Sequence, residues 1–167
     1  MADVNLALAA SKEAVEQLIV AGERSGSDWS AATAPGKWSP SQIVEHVARS
    51  LEESANMAAG RPSKFPNLPA IIHPITRALL LRRVLRNQAF PKARTNKAMN
   101  PDRGPATPAD GRRRLEAAHA VFEQACLDIA TRSSMMRTTI FGTVDMVDYV
   151  RFTELHTRHH CKQIGPR

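Results

Sequence analysis

Cysteine is scarce in this chain of 167 residues. There are two, Cys126 and Cys161, far apart and outside any CxxC spacing. That leaves no disulfide framework and points to two reduced thiols. Aromatic residues make up only 5% while alanine is frequent, a balance that favours closely packed helices. No apolar run reaches membrane-spanning length. The longest, AIIHPITRALLL, is broken by a proline and an arginine. The opening MADVNLALAASKEAVEQL lacks the charged start and apolar block of a signal peptide. A cytoplasmic protein with no membrane partner is the expectation. Acidic residues are nearly missing from the middle. In segment 61–114 only Asp102 and Asp110 oppose a run of bases that includes Arg77, Arg82, Arg83, Arg86, Lys92 and Arg94. The net charge of +7 is therefore local. It suits an anionic small molecule, nucleic acid or anionic surface, or is simply a solvated basic face.

No stretch alternates apolar and polar residues well enough for a sheet, whereas helical periodicity recurs. A first helix runs from Val4 to Arg24 with Leu8, Val15, Leu18 and Ile19 on one side. A second starts at WSPSQIVEHVARSLEESANMA, where Ser39 is a good N-cap and Pro40 suits the first helical position. Its inward stripe is Ile43, Val47, Leu51 and Ser54. A basic helix over Leu68 to Leu85 is bent or delayed by Pro74. Thr107, with Pro108 and Asp110, caps a helix that reaches Thr131 and uses Leu115, Ala118, Phe122, Ala125 and Ile129 as its core face. A last helix spans Thr143 to Ile164. There are no internal repeats and no dividing linker, so residues 1–167 form one domain. The fold class expected is all-α, a four-helix bundle. The long connection from Gly60 to Ala106 favours up-down-down-up topology, with the basic helix as an extra element between bundle helices two and three.

Half of the six histidines crowd into ELHTRHHCKQI near the end of the chain. His156 and His160 are four apart and so lie about 40° apart on one helix face. That spacing lets two imidazoles hold one metal, but the central Glu of an HExxH helix is missing. A third ligand must come from elsewhere. His46 lies about 9 Å along helix two, and His156 and His160 about 5 to 12 Å from the end of the last helix. Antiparallel packing of these helices brings all three to one level. The alternative for His46 is a half-buried helix histidine bonded to a neighbour. His159 is about 60° off the His156 direction and borders the site, while Cys161 points about 100° away from His160. His73, before Pro74, reads as structural, and His119 faces either core or solvent. Tyr149 and Gln163 share the His156 face, to bond a bound water or substrate or merely to pack.

The blocks KWSPSQIVEHVARSLE and FGTVDMVDYVRFTELHTRHHCKQI resemble two helices of the DinB/YfiT-like superfamily. The first has that family's Trp, Ser-Pro helix start and ligand histidine. The second has its histidine, three residues, a second histidine and a following Gln. Carried over by position, the family's metal triad falls on His46, His156 and His160. The resemblance implies an up-down-down-up bundle holding a divalent metal such as nickel or zinc. It also implies a homodimer and thiol-dependent transferase or isomerase chemistry on a small-molecule substrate. DNA binding is not implied.

Three functional classes follow. A metalloenzyme would activate a thiol or water at the triad, with Arg158 or the Arg77–Arg86 group clamping the anionic part of the thiol. A nucleic-acid module would use segment 61–114, where Phe65 and Phe90 are the only aromatics. A non-catalytic metal-binding or interaction bundle is the third. No Ser-His-Asp arrangement or Gly-rich phosphate loop competes with these.

Overall fold

A computed structural model of the protein describes residues 2–32, 34–91 and 95–164. Lys92 and Arg94 of the basic segment lie outside the described residues. The chain is mostly helical. Four long helices carry the core: α1 (Ala2–Arg24), α2 (Pro40–Ala58), α5 (Pro108–Ala130) and α6 (Met146–Ile164). Between α2 and α5 the crossover forms a short 3₁₀ turn (Ala70–Ile72), α3 (His73–Thr76), a π-helical turn (Arg77–Leu81) and α4 (Arg82–Asn87).

Helix starts follow local chemistry. Ser39 and Gln42 form a reciprocal capping box at α2, with Pro40 at the first position. Thr107 and Asp110 do the same for α5. Replacing Ser39 with Ala is expected to cost about 1 kcal/mol, read as a lower denaturant midpoint. The apolar stripes then meet. Leu8, Leu18, Ile43, Leu51, Leu115 and Phe122 are among the largest fully buried side chains.

Cross-helix contacts give the directions. Val44, early in α2, lies beside Gly111, early in α5. Arg114 of α5 reaches Glu45 and Glu52 of α2. These two helices therefore run the same way. Arg112 at the start of α5 bonds Glu16 and Glu23, toward the end of α1, so α5 and α1 run oppositely. His46 meets His156 near the start of α2, and Ser54, about two turns on, meets Tyr149, about two turns back along α6. So α2 and α6 are antiparallel.

The all-α expectation needs correction. Thr143 to Asp145, expected to open the last helix, instead belong to β2 (Gly142–Asp145), which pairs antiparallel with β1 (Met135–Thr138) in a hairpin. Met136 pairs with Val144, and both are buried. Gly142 has φ +69°, and a Cβ there would sit 2.7 Å from His73 Nδ1. Both facts call for glycine. Asp145 ends β2 and caps α6, its Oδ1 accepting from the Val147 backbone N–H at 2.8 Å. The last helix thus starts at Met146 rather than Thr143.

Candidate metal centre

α2 and α6 bring three imidazoles together. His46 Nε2 lies 3.3 Å from His156 Nε2, and His160 Nε2 lies 3.1 Å from that same atom. One ligand nitrogen from each of the three lies within 4.8 Å of the others. His46 and His160 are buried, at 4% and 7% exposure, and His156 is half-buried.

The outer nitrogens settle which atoms carry protons. His46 Nδ1 lies 2.8 Å from the Met99 carbonyl oxygen, which can only accept, so Nδ1–H donates and Nε2 is bare. His160 Nδ1–H likewise donates to Gln163 Oε1 at 3.1 Å. Two bare lone pairs therefore converge on His156 Nε2, which can offer at most one proton to both. The two separations from His156 Nε2 are close to the edge of a tetrahedron with metal–nitrogen bonds of about 2.0–2.1 Å. Donor type, tautomer and these two short separations fit a divalent metal held by three neutral nitrogens.

Electrostatics favour the neutral ligands. Burial lowers the His46 pKa, partly offset by the Met99 carbonyl, and Arg49 lowers it further. Burial pushes His156 well below the ordinary imidazole value, and its His160, His46 and His159 neighbours add to that. His160 is pushed down to about 3, chiefly by burial and then by His46, with Gln163 acting the other way. At neutral pH the three rings are unprotonated, the form a metal requires.

The remaining residues of interest divide. Gln163 links two histidines, since its amide N–H donates to His159 Nε2 at 3.1 Å while its oxygen holds His160. It acts on ligand orientation. Gln163→Ala is expected to weaken metal affinity about ten- to a hundredfold, measured by competition with a chromophoric chelator. His159 borders the cluster, its ring 5.3 Å from that of His160. Tyr149 is on the expected face but about two turns toward the hairpin. It is buried, and its hydroxyl pairs with Ser54 Oγ at 3.0 Å. Arg158 turns to α1, bonding Gln17 at 2.7 Å and Glu154 of its own helix. Arg77 gives a guanidinium N–H to the Thr143 carbonyl. These hydrogen bonds point both guanidinium groups to partners other than the histidines.

Three further residues contribute to the site without having been assigned to it from the sequence. Trp38 lies against His46 and His160, with ring centroids 4.8 and 6.2 Å away. Its indole N–H donates to Asn100 Oδ1 in the crossover. Met99 supplies the carbonyl on His46, and Phe90 stands 5.4 Å from the His156 ring. The tryptophan stood in a block already singled out, but no periodicity marks Phe90 or Met99. The crossover therefore walls the site. Phe90 also packs on Phe152, and Phe65 packs against the core, so neither is an open platform for stacking bases.

No curated protein and no solved structure matches the chain. The model of one family, the proteins of unknown function DUF1569, matches residues 3–167, and the chain belongs to that family.

Proposed function

We propose that the chain is a DinB/YfiT-like up-down-down-up bundle that holds nickel or zinc on His46, His156 and His160. In this reading it is an enzyme in which a low-molecular-weight thiol, or water, loses its proton and displaces a leaving group, such as halide, from an electrophilic small molecule. The observation that carries the proposal is the convergence of three imidazole Nε2 atoms, two of them bared by fixed acceptors on Nδ1. A divalent metal, when bound, supplies Lewis acidity that lowers the pKa of a thiol or water and makes a nucleophile near neutral pH. The protein's own residues orient and shield. The Met99 carbonyl and Gln163 fix two ring orientations. Trp38 and Phe90 place apolar surface beside the histidines and limit water. Arg49 and Lys162, the charged side chains that act most on His46 and His159, are both positive, which suits an anionic thiol. The homodimer and cytoplasmic location implied earlier belong to the same reading.

The test uses untagged protein loaded with nickel or zinc and assayed with several low-molecular-weight thiols and an electrophilic aryl halide. Turnover that is lost on chelation and regained on adding metal is the expected result. Stoichiometric metal with no turnover on any thiol, or with water, would support the non-catalytic metal-binding bundle instead.

A further inference from the structure

Seven large apolar side chains stand exposed among the described residues. Four of them, Ile71, Ile72, Ile75 and Leu79, fall in one nine-residue stretch of the crossover. Ile71 is 83% exposed, Ile75 54% and Leu79 67%. The 3₁₀ turn, α3, the π turn and α4 follow one another without a break, so this stretch is the outer face of one helical rod. Along it Ile71, Ile75, Leu79, Arg82 and Arg86 recur every three or four residues, the spacing of a single helix face. Arg82, Arg83 and Arg86 are exposed.

The opposite face pins the rod in place. Thr76 donates its hydroxyl to the Ile140 carbonyl at 2.6 Å, and Arg77 donates to the Thr143 carbonyl at 3.1 Å. Leu81 and Val84 are buried. The rod cannot roll its isoleucines inward without breaking these contacts. The sequence around it is also free of opposing charge, because no Asp or Glu occurs from Ser54 to Pro101. An apolar ridge running into a basic end, in a stretch of chain without acids, is matched by a surface that is apolar beneath and anionic on top.

We propose that this ridge is a peripheral docking face for an anionic lipid surface. Ile71, Ile75 and Leu79 enter the boundary between headgroups and acyl chains, and Arg82, Arg83 and Arg86 meet lipid phosphates. The contact is monotopic, since no helix among the described residues is long and apolar enough to cross a membrane. A second copy set ridge to ridge fits the face less well, because it brings the same arginines and no complementary charge. Nucleic acid matches the arginines but leaves the ridge of isoleucine and leucine in water. The crossover that carries the ridge also supplies Phe90 and the Met99 carbonyl to the histidine cluster.

The untagged full chain is sedimented with phosphatidylcholine vesicles and with vesicles carrying about 30% phosphatidylglycerol. It is expected to bind the anionic vesicles, more weakly as salt rises, and to leave the neutral ones in solution. Ile75→Glu with Leu79→Glu, and separately Arg82→Glu with Arg83→Glu, are expected to lower partitioning at least about tenfold with helical content unchanged. Lys12→Glu with Arg24→Glu makes the same charge change on α1 and keeps most of the binding. Should the double ridge variant not fold, Ile71→Glu alone repeats the test at the most exposed position. Equal binding to both vesicles, or anionic binding untouched by the ridge substitutions, overturns the proposal. A dimer dispersed by Leu79→Glu, or retention of nucleic acid or an acidic protein without vesicle binding, overturns it as well.

Discussion

His46→Ala is expected to lower divalent-metal affinity more than about a hundredfold while leaving the far-ultraviolet helical signal intact. The reason is topological. Without His46 the site keeps only His156 and His160, both from α6, a two-nitrogen chelate on one helix face. Loss of an orienting partner alone costs about ten- to a hundredfold, so loss of a ligand costs more. His160→Ala should do the same, because it removes the second bare Nε2. The measurement is metal per chain after dialysis, by elemental analysis, together with competitive titration. His73→Ala is the control. That ring sits beside Gly142 at the hairpin, and its loss should leave metal content near that of the unaltered chain. Near-stoichiometric metal surviving in His46→Ala would refute the shared site. Loss of the helical signal together with the metal would mean that the histidines serve folding first.

The site was legible in the sequence to the extent that it rests on helical arithmetic. A spacing of four residues places His156 and His160 on one face, and antiparallel packing of two helices brings His46 level with them. Capping chemistry is equally local, which is why the boxes at Ser39 and Thr107 appear where expected. The hairpin was not legible. Its strands are four residues each, and one pair, Met136 with Val144, supplies its clearest apolar signal. Such an alternation is too short to outweigh the helical pattern that follows it. Nor were Tyr149 and Arg158 decided by direction alone. Tyr149 points the right way but at a level where Ser54 waits, and Arg158 is drawn to Gln17 and Glu13 on α1. The crossover's part in the site depends on where a long, aperiodic stretch returns to the bundle. His46 with Met99 and Trp38 with Asn100 are contacts across more than fifty residues. No local rule marks them.

The hairpin also sets up the second large effect. Phe141→Ala is expected to destabilise the fold by about 3–5 kcal/mol, the range for truncating a fully buried phenylalanine. Phe141 is 1% exposed. Its ring lies 5.3 Å from that of Phe152 on α6, Phe152 lies 4.9 Å from Phe90, and Phe90 lies 5.4 Å from His156. These rings form a continuous aromatic path from the hairpin turn to the histidine cluster. Phe90 is only partly buried and sits at the end of that path, so Phe90→Ala should cost much less stability. Its effect should fall instead on the His156 side of the site, as weaker metal or ligand binding. Urea unfolding followed by circular dichroism gives the stability of each variant, and metal titration gives the site. A large stability loss in Phe141→Ala with little change in metal affinity of the folded fraction, and the reverse in Phe90→Ala, is the expected pattern. Equal stability losses in the two variants would mean that the crossover is part of the folding core rather than a wall laid against it.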